Sequence, residues 1–169
     1  MIKKFLLDVD GVLTNGQFIY SSEGKNYKIF GAHDADGLKI LKHKLDISFI
    51  TADKKGFDIS KRRIEDMGFE VYLCKEPDRK AYIDQNYDYD TLAYMGDGIY
   101  DAEIIRLAKL GISPKNARIE ARESADYITP SNGGEGAVLD ACLYINEFYF
   151  GDNPWNQHLS FLAITKNQI

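Results

Sequence analysis

Apolar residues fall along this chain in short clusters separated by helical stripes, and that alternation predicts its architecture. Phe5-Leu6-Leu7 is a continuous apolar run of the length of a buried strand. The runs Ile47-Ser48-Phe49-Ile50-Thr51, Val71-Tyr72-Leu73-Cys74 and Leu92-Ala93-Tyr94-Met95 repeat it, and Leu110 to Ser113 and Tyr127-Ile128 are shorter versions. Between them, apolar residues recur at helical spacing. Leu38, Leu41 and Leu45 mark one helix, with Asp34 or Asp36 as its cap. Ile59, Ile64 and Met67 mark a second, stopped by Gly68. Asp78 is placed to cap a third, running from Arg79 to Tyr87. Ile104, Ile105 and Leu107 mark a fourth, and a last helix runs from Ala137 to about Phe148. Strand and helix alternate throughout, which predicts an α/β, doubly wound, mainly parallel sheet.

One segment breaks the alternation. Gln17 to Tyr20 and Asn26 to Phe30 are two β-prone runs around a turn containing Gly24, which predicts a β-hairpin. It leaves the first strand beside that strand's polar end, so it is placed to be a surface ornament, a flap or a docking surface. The chain reads as one domain over residues 1–150, followed by a tail over 151–169 that carries Trp155 and an apolar patch.

Composition narrows the function classes. Net charge is -5 with no basic run, so nucleic acid and anionic membrane are poor partners. No apolar stretch is long enough to span a bilayer. Met1 to Lys4 lead straight into a strand without the pattern of a secretory leader, and two cysteines, Cys74 and Cys142, form no metal or redox motif. A cytoplasmic location follows as the expectation.

The candidate chemistry sits at the polar ends of the strands. The first ends in Asp8-Val9-Asp10-Gly11; residues two apart on a strand point the same way, so both carboxylates start on one side. Like charges so placed call for a cation, and Mg²⁺ suits one or two carboxylates together with a phosphate. A calcium loop is excluded by spacing: counted from Asp8, the twelfth position holds Ile19 where glutamate is needed. The second strand ends at Thr51-Ala52-Asp53, the third leads to Lys75 and Lys80, and the fourth to Gly96-Asp97-Gly98 and Asp101. Open α/β sheets bind ligands at that edge. The absence of GxGxxG after the first strand argues against a dinucleotide site, and that of GxxxxGK[ST] argues against a P-loop enzyme. The set suits phosphoryl transfer, with a carboxylate nucleophile, a second carboxylate for proton transfer, and cations and a hydroxyl on the phosphoryl oxygens. Transfer of the phosphoryl group to another hydroxyl, or a non-catalytic scaffold that kept the fold, are the competing readings.

DVDGVLT, ITAD, a lysine at a helix start and GDGIYD, in that order, resemble the four motifs of the haloacid dehalogenase superfamily of phosphatases. DVDGVLTNG, the hairpin, DADGLKIL, ADYIT and NGGEGAV extend the resemblance to the capless phosphatases of 3-deoxy-D-manno-octulosonate 8-phosphate and their relatives that act on nine-carbon acid-sugar phosphates. The resemblance implies a Rossmann-like fold without a cap domain. It implies Mg²⁺-dependent hydrolysis of a sugar or sugar-acid phosphate through an aspartyl-phosphate, in cell-surface carbohydrate biosynthesis, by a homotetramer. It further implies Asp8 as nucleophile and Asp10 as general acid/base. Thr51, Ala52 and Lys80 would bind phosphate. Asp8, the Asp10 carbonyl and Asp97 would hold the metal, with Asp101 supporting them. Asp36, Asp53 and Glu135 stand as possible substrate contacts. Asp53 and Glu135 occupy positions where that group carries arginine, and Gly98 a position where it carries aspartate.

Overall fold

The computed structural model describes residues 1–152. The tail that follows, with Trp155, lies outside the described residues. Six strands form one sheet in the order β5-β4-β1-β6-β7-β8, every neighbouring pair parallel. They are β1 (Lys4–Asp8), β4 (Asp46–Thr51), β5 (Glu70–Leu73), β6 (Leu92–Met95), β7 (Leu110–Ser113) and β8 (Tyr127–Ile128). Strands β2 (Thr14–Ser21) and β3 (Gly24–Phe30) pair antiparallel as the separate hairpin. The helices are α1 (His33–Leu41), α2 (Phe57–Asp66), α3 (Glu76–Asn86), α4 (Ala102–Leu107), α5 (Ile119–Ser124) and α6 (Ala137–Phe150). The gap from β1 to β4 holds only the hairpin and α1, and that from β4 to α3 only α2 and β5, so neither holds a cap domain.

β1 divides two cores. Phe5 and Leu7 pack with Phe49, Leu38, Leu41 and the buried face of α6, while Leu6 faces Ile83, Tyr94, Ile104 and Ile105. All three β1 residues are fully buried, each worth about 1.5–3 kcal/mol relative to exposure. Burial on both faces explains why β1 reads as a continuous apolar run rather than an alternating one. The chain steps from β1 outward through β4 to β5, then returns to the far side of β1 as β6. The strand order therefore reverses at β1, and the crevice at a reversal is where such sheets bind ligands.

Two local expectations are corrected, and one helix is added. Neither Asp34 nor Asp36 caps α1, which starts at His33 without a side-chain cap. Asp34 is buried and instead accepts hydrogen bonds from Val138 and Leu139 N–H at 3.0 and 3.4 Å, closing the open start of α6. Asp78 does not cap α3, because Pro77 pre-sets the first turn and moves the start back to Glu76. Helix α5 was absent from the sequence reading, being six residues long with one buried residue, Ala121.

The loop Asn132 to Gly136 supports the turn after β1. Gly134 N–H donates to Val12 O at 3.0 Å, and Gly133 N–H to Asn116 Oδ1 at 2.9 Å. A Cβ on Gly133 would collide with the backbone carbonyl of Gly11, leaving no flexible side chain to yield. Gly133→Ala should therefore cost about 1–3 kcal/mol of stability, read as a lower urea midpoint. An unchanged midpoint would mean the loop does not bear on the turn.

Candidate active site

A cleft of about 450 Å³ opens at the carboxyl ends of β1, β4 and β6, a volume suited to a small phosphorylated metabolite. Asp8, Asp10, Thr51, Ala52, Asp53, Asp97 and Asp101 all line it.

Asp8 is the last residue of β1 and shares the face of Leu6. That face meets α3, and Arg79 from the first turns of α3 places one guanidinium nitrogen 2.9 Å from Asp8 Oδ1. Its other terminal nitrogen lies 2.6 Å from Asp101 Oδ1. Tyr94, buried on β6, donates its hydroxyl proton to the same Asp101 oxygen and lies 3.3 Å from Arg79. Asp101 Oδ2 accepts from Gly98 N–H at 2.9 Å. Both Asp101 oxygens are thus committed to the protein.

Carboxylate oxygens of Asp8, Asp97 and Asp101 all lie within 4.8 Å of one another, with Arg79 as the cation among them. Burial pushes the Asp8 carboxyl well above the ordinary range; Arg79 draws it down, and Asp101, Asp97 and Asp10 push it up again. Burial, then Asp101, raise Asp97 to about 7. Burial by itself would weaken the Arg79 charge, but Asp8, Tyr94 and Asp101 outweigh it and hold the guanidinium charged. One guanidinium does not satisfy three carboxylates, two of them buried and Asp97 half-buried. Asp8 and Asp97 keep oxygens free for a hard divalent cation, and this oxygen-only donor set fits Mg²⁺.

Gly11, at φ 95°, makes room for Asp97: a Cβ there would lie inside the Asp97 carboxylate.

Asp10 lies past the end of β1, so the two-residue period does not reach it, and its side chain joins a different cation. Lys28 Nζ of β3 lies 2.7 Å from its Oδ1 and donates to Oδ2 at 2.9 Å. The Thr51 hydroxyl donates to the same Oδ2 at 3.1 Å and accepts from Asp53 N–H at 3.1 Å. Asp53 pairs with Lys28 at 2.8 Å and with Lys25. Burial acts to raise Asp53, but hydrogen bonds from Lys25, Lys28 and Gly56 N–H prevail and hold it at about 2.

Several expected residues lie elsewhere. Lys80 does not reach the cleft: its ammonium pairs with Asp84 at 2.8 Å on the exposed side of α3. Helix phase explains this, since Arg79 and Ile83 share the buried side while Lys80 and Asp84 share the exposed one. Lys75 borders an adjoining depression with Leu73, Cys74 and Asp78 and does not line the cleft itself. Asp36 is exposed and pairs with Lys39, and Glu135 accepts from Asn132 within its own loop. Phe18, Lys25, Lys54, Glu76, Arg79, Ile99 and Tyr100 line the cleft without having been singled out. Lys25 was hidden in a hairpin whose inward face could not be assigned, and Glu76, Ile99 and Tyr100 sit in loops or helix starts without a motif. The signal for Arg79 was available: it stands four residues before Ile83, the apolar residue of that helix.

Comparison with known proteins gives a consistent picture. The model of a family of haloacid dehalogenase-like hydrolases matches residues 79–141. The 3-deoxy-D-manno-octulosonate 8-phosphate phosphatase of Haemophilus influenzae is 29% identical over 144 residues, spanning 82% of this chain and 79% of that protein. The crystal structure of the phosphatase of that name from Moraxella catarrhalis, in complex with magnesium ion, phosphate ion and KDO, superposes with a TM-score of 0.78 at 32% identity. It covers 97% of this chain and 93% of its own. A probable YrbI-family phosphatase from Pseudomonas syringae gives 0.82 at 32% identity, covering 95% and 93%.

The raised Asp97 carboxyl makes the metal-free fold pH-sensitive. Its ordinary value is 3.8 and its folded value about 7, so ionisation penalises the folded state increasingly between those limits. Mg²⁺ binds the ionised form, so its stabilising rise in Tm should be larger at about pH 8 than at about pH 5.5. Equal rises at both would exclude Asp97 from the metal set.

Proposed function

The chain belongs to the haloacid dehalogenase superfamily, in the group of the 3-deoxy-D-manno-octulosonate 8-phosphate phosphatases, and from that membership we propose that it is a cytoplasmic Mg²⁺-dependent phosphatase of an octulosonate- or nonulosonate-type sugar-acid phosphate. The observation that carries this reading is Arg79 bridging Asp8 and Asp101 at the strand reversal, facing the open cleft.

Asp8 is the nucleophile: its free oxygen attacks phosphorus, and the sugar hydroxyl leaves as the aspartyl-phosphate forms. Asp10 protonates the leaving oxygen and then draws a proton from the water that hydrolyses the intermediate. Thr51 Oγ1, the Ala52 backbone and Arg79 bind the phosphoryl oxygens, and the Arg79 fork matches their geometry better than an ammonium would. Asp8, Asp97 and the Asp10 carbonyl would hold Mg²⁺, which would supply positive charge against the phosphoryl oxygens. Asp101 orients Arg79. The cysteines of the described residues, Cys74 and Cys142, are free, as suits a reducing compartment; among the described residues no helix is long and apolar enough to cross a membrane.

We further assign a homotetramer built on the hairpin. Ile19, Tyr20, Tyr27 and Ile29 are 48%, 57%, 64% and 45% exposed on the hairpin, next to the cleft. Such a surface on a two-stranded sheet calls for a covering partner. A second copy there would also narrow a cleft that has no cap domain.

A screen of phosphorylated sugars and sugar acids with Mg²⁺, reading phosphate release, tests the activity; no release from any of them would contradict it. Arg79→Met should lower turnover by about 10² or more, while Lys80→Met should stay close to wild type. The reverse ranking would return the phosphate site to Lys80. Ile19→Asp with Tyr27→Asp should yield a smaller species by light scattering that still hydrolyses an aryl phosphate but loses selectivity among sugar phosphates. An unchanged mass would move the interface elsewhere.

A further inference from the structure

The hairpin is inverted relative to an ordinary surface hairpin. On β3 the apolar Tyr27 and Ile29 face outward, whereas Lys28 between them points inward with a fully covered side chain. An ammonium has three N–H donors and no acceptor. Lys28 commits them to three groups from three segments: Asp10 after β1, Asp53 after β4 at 2.8 Å, and Ser60 Oγ of α2 at 2.8 Å. Ser60 is itself fully buried. No donor is left for a substrate, so whatever Lys28 contributes to the reaction passes through Asp10.

We propose that Lys28 is the positioning residue of Asp10, and that docking of the β2–β3 hairpin is thereby a condition for proton transfer to the leaving group. The proposal rests on the phosphatase reading above. Its physical basis is the charge arrangement. Asp10 and Asp53 share one ammonium, and among the described residues the only other side-chain partner of Asp10 is the neutral hydroxyl of Thr51. Without the Lys28 charge, Asp53 would keep Lys25 while Asp10 would keep no cation, and repulsion between the two carboxylates would turn Asp10 toward solvent, away from the oxygen it must protonate. Lys28 is the buried partner of this pair and Asp10 the half-buried one, so Asp10 has a path to water once the ammonium is gone. Asp8 would be spared, because Arg79 and Asp101 hold it independently on the opposite side of β1. Lys28 therefore separates the two half-roles of the site: loss of its charge disables the acid while leaving the nucleophile in place.

This separation has a kinetic signature that a general loss of structure lacks. Phenol is a poor leaving group that needs a proton; 4-nitrophenol leaves well without one. The Mg²⁺-loaded protein is mixed with phenyl phosphate or 4-nitrophenyl phosphate, and release of the phenol in the first turnover is measured. Lys28→Met should slow phenyl phosphate by about 10²-fold and 4-nitrophenyl phosphate by less than about tenfold. Asp10→Asn should show the same split, and the double variant should be no slower than Asp10→Asn, since both changes remove one function. Equal slowing of both substrates by Lys28→Met, or effects that multiply in the double variant, would overturn the proposal. Ser60→Ala is the milder probe should Lys28→Met fail to fold. It removes one Lys28 partner, and should give a smaller split in the same direction; equal rates for both substrates relative to wild type would overturn the proposal. A folded wild type that releases neither phenol would overturn the phosphatase reading itself, and the proposal with it.

Discussion

Mutual repulsion of buried carboxylates at the carboxyl end of β1 is the constraint on which the rest of this structure depends. Asp8, Asp97 and Asp101 converge there because β1 and β6 are neighbours and both run toward the same edge. Burial makes the ionised forms of Asp8 and Asp97 costly, and proximity to the other carboxylates makes them costlier. The fold answers with one guanidinium, fixed by Asp101 and Tyr94, and leaves the remaining charge for a metal and a phosphoryl group. Glycines follow from the same crowding: Gly11 makes room for the Asp97 carboxylate and Gly96 for the Asp101 side chain, since a Cβ at either would overlap it. The site is thus a charge imbalance built into the sheet, which only the reacting complex completes.

A second imbalance shapes the hairpin. Lys25 and Lys28 turn inward to Asp10 and Asp53, and Tyr27 and Ile29 turn outward. Inward charge joins the hairpin to the cleft, and the outward apolar surface is the one the proposed assembly would cover. The two faces together account for how a chain without a cap domain could shield its cleft.

The sheet was legible in the sequence because its strands are buried on both faces and its helices carry apolar stripes. Phe5 to Leu7, Ile47 to Thr51 and Leu92 to Met95 lie in the strands their apolar runs predict. The carboxylates and Thr51 were legible because strand ends in a parallel sheet share one edge. The cation was misplaced: Lys80 fitted a one-dimensional motif, but helix phase, set by Ile83, turns Arg79 inward and Lys80 outward. Lys28 was not legible at all. Alternation along β3 is symmetrical, and only the fold decides that its polar face is the covered one. Asp34 was misread for a related reason, because the helix it closes begins 103 residues later in the chain, at Ala137.

The central claim is that Asp8 becomes the acyl phosphate while Arg79 and the metal hold the phosphoryl group. Quenching the Mg²⁺-loaded protein during turnover and reducing it with borohydride converts an aspartyl-phosphate to homoserine, which peptide mass spectrometry locates. The account predicts homoserine at position 8, absent without substrate and absent in Asp8→Asn. Sustained phosphate release with residue 8 unmodified, or with the label on another carboxylate, would contradict it.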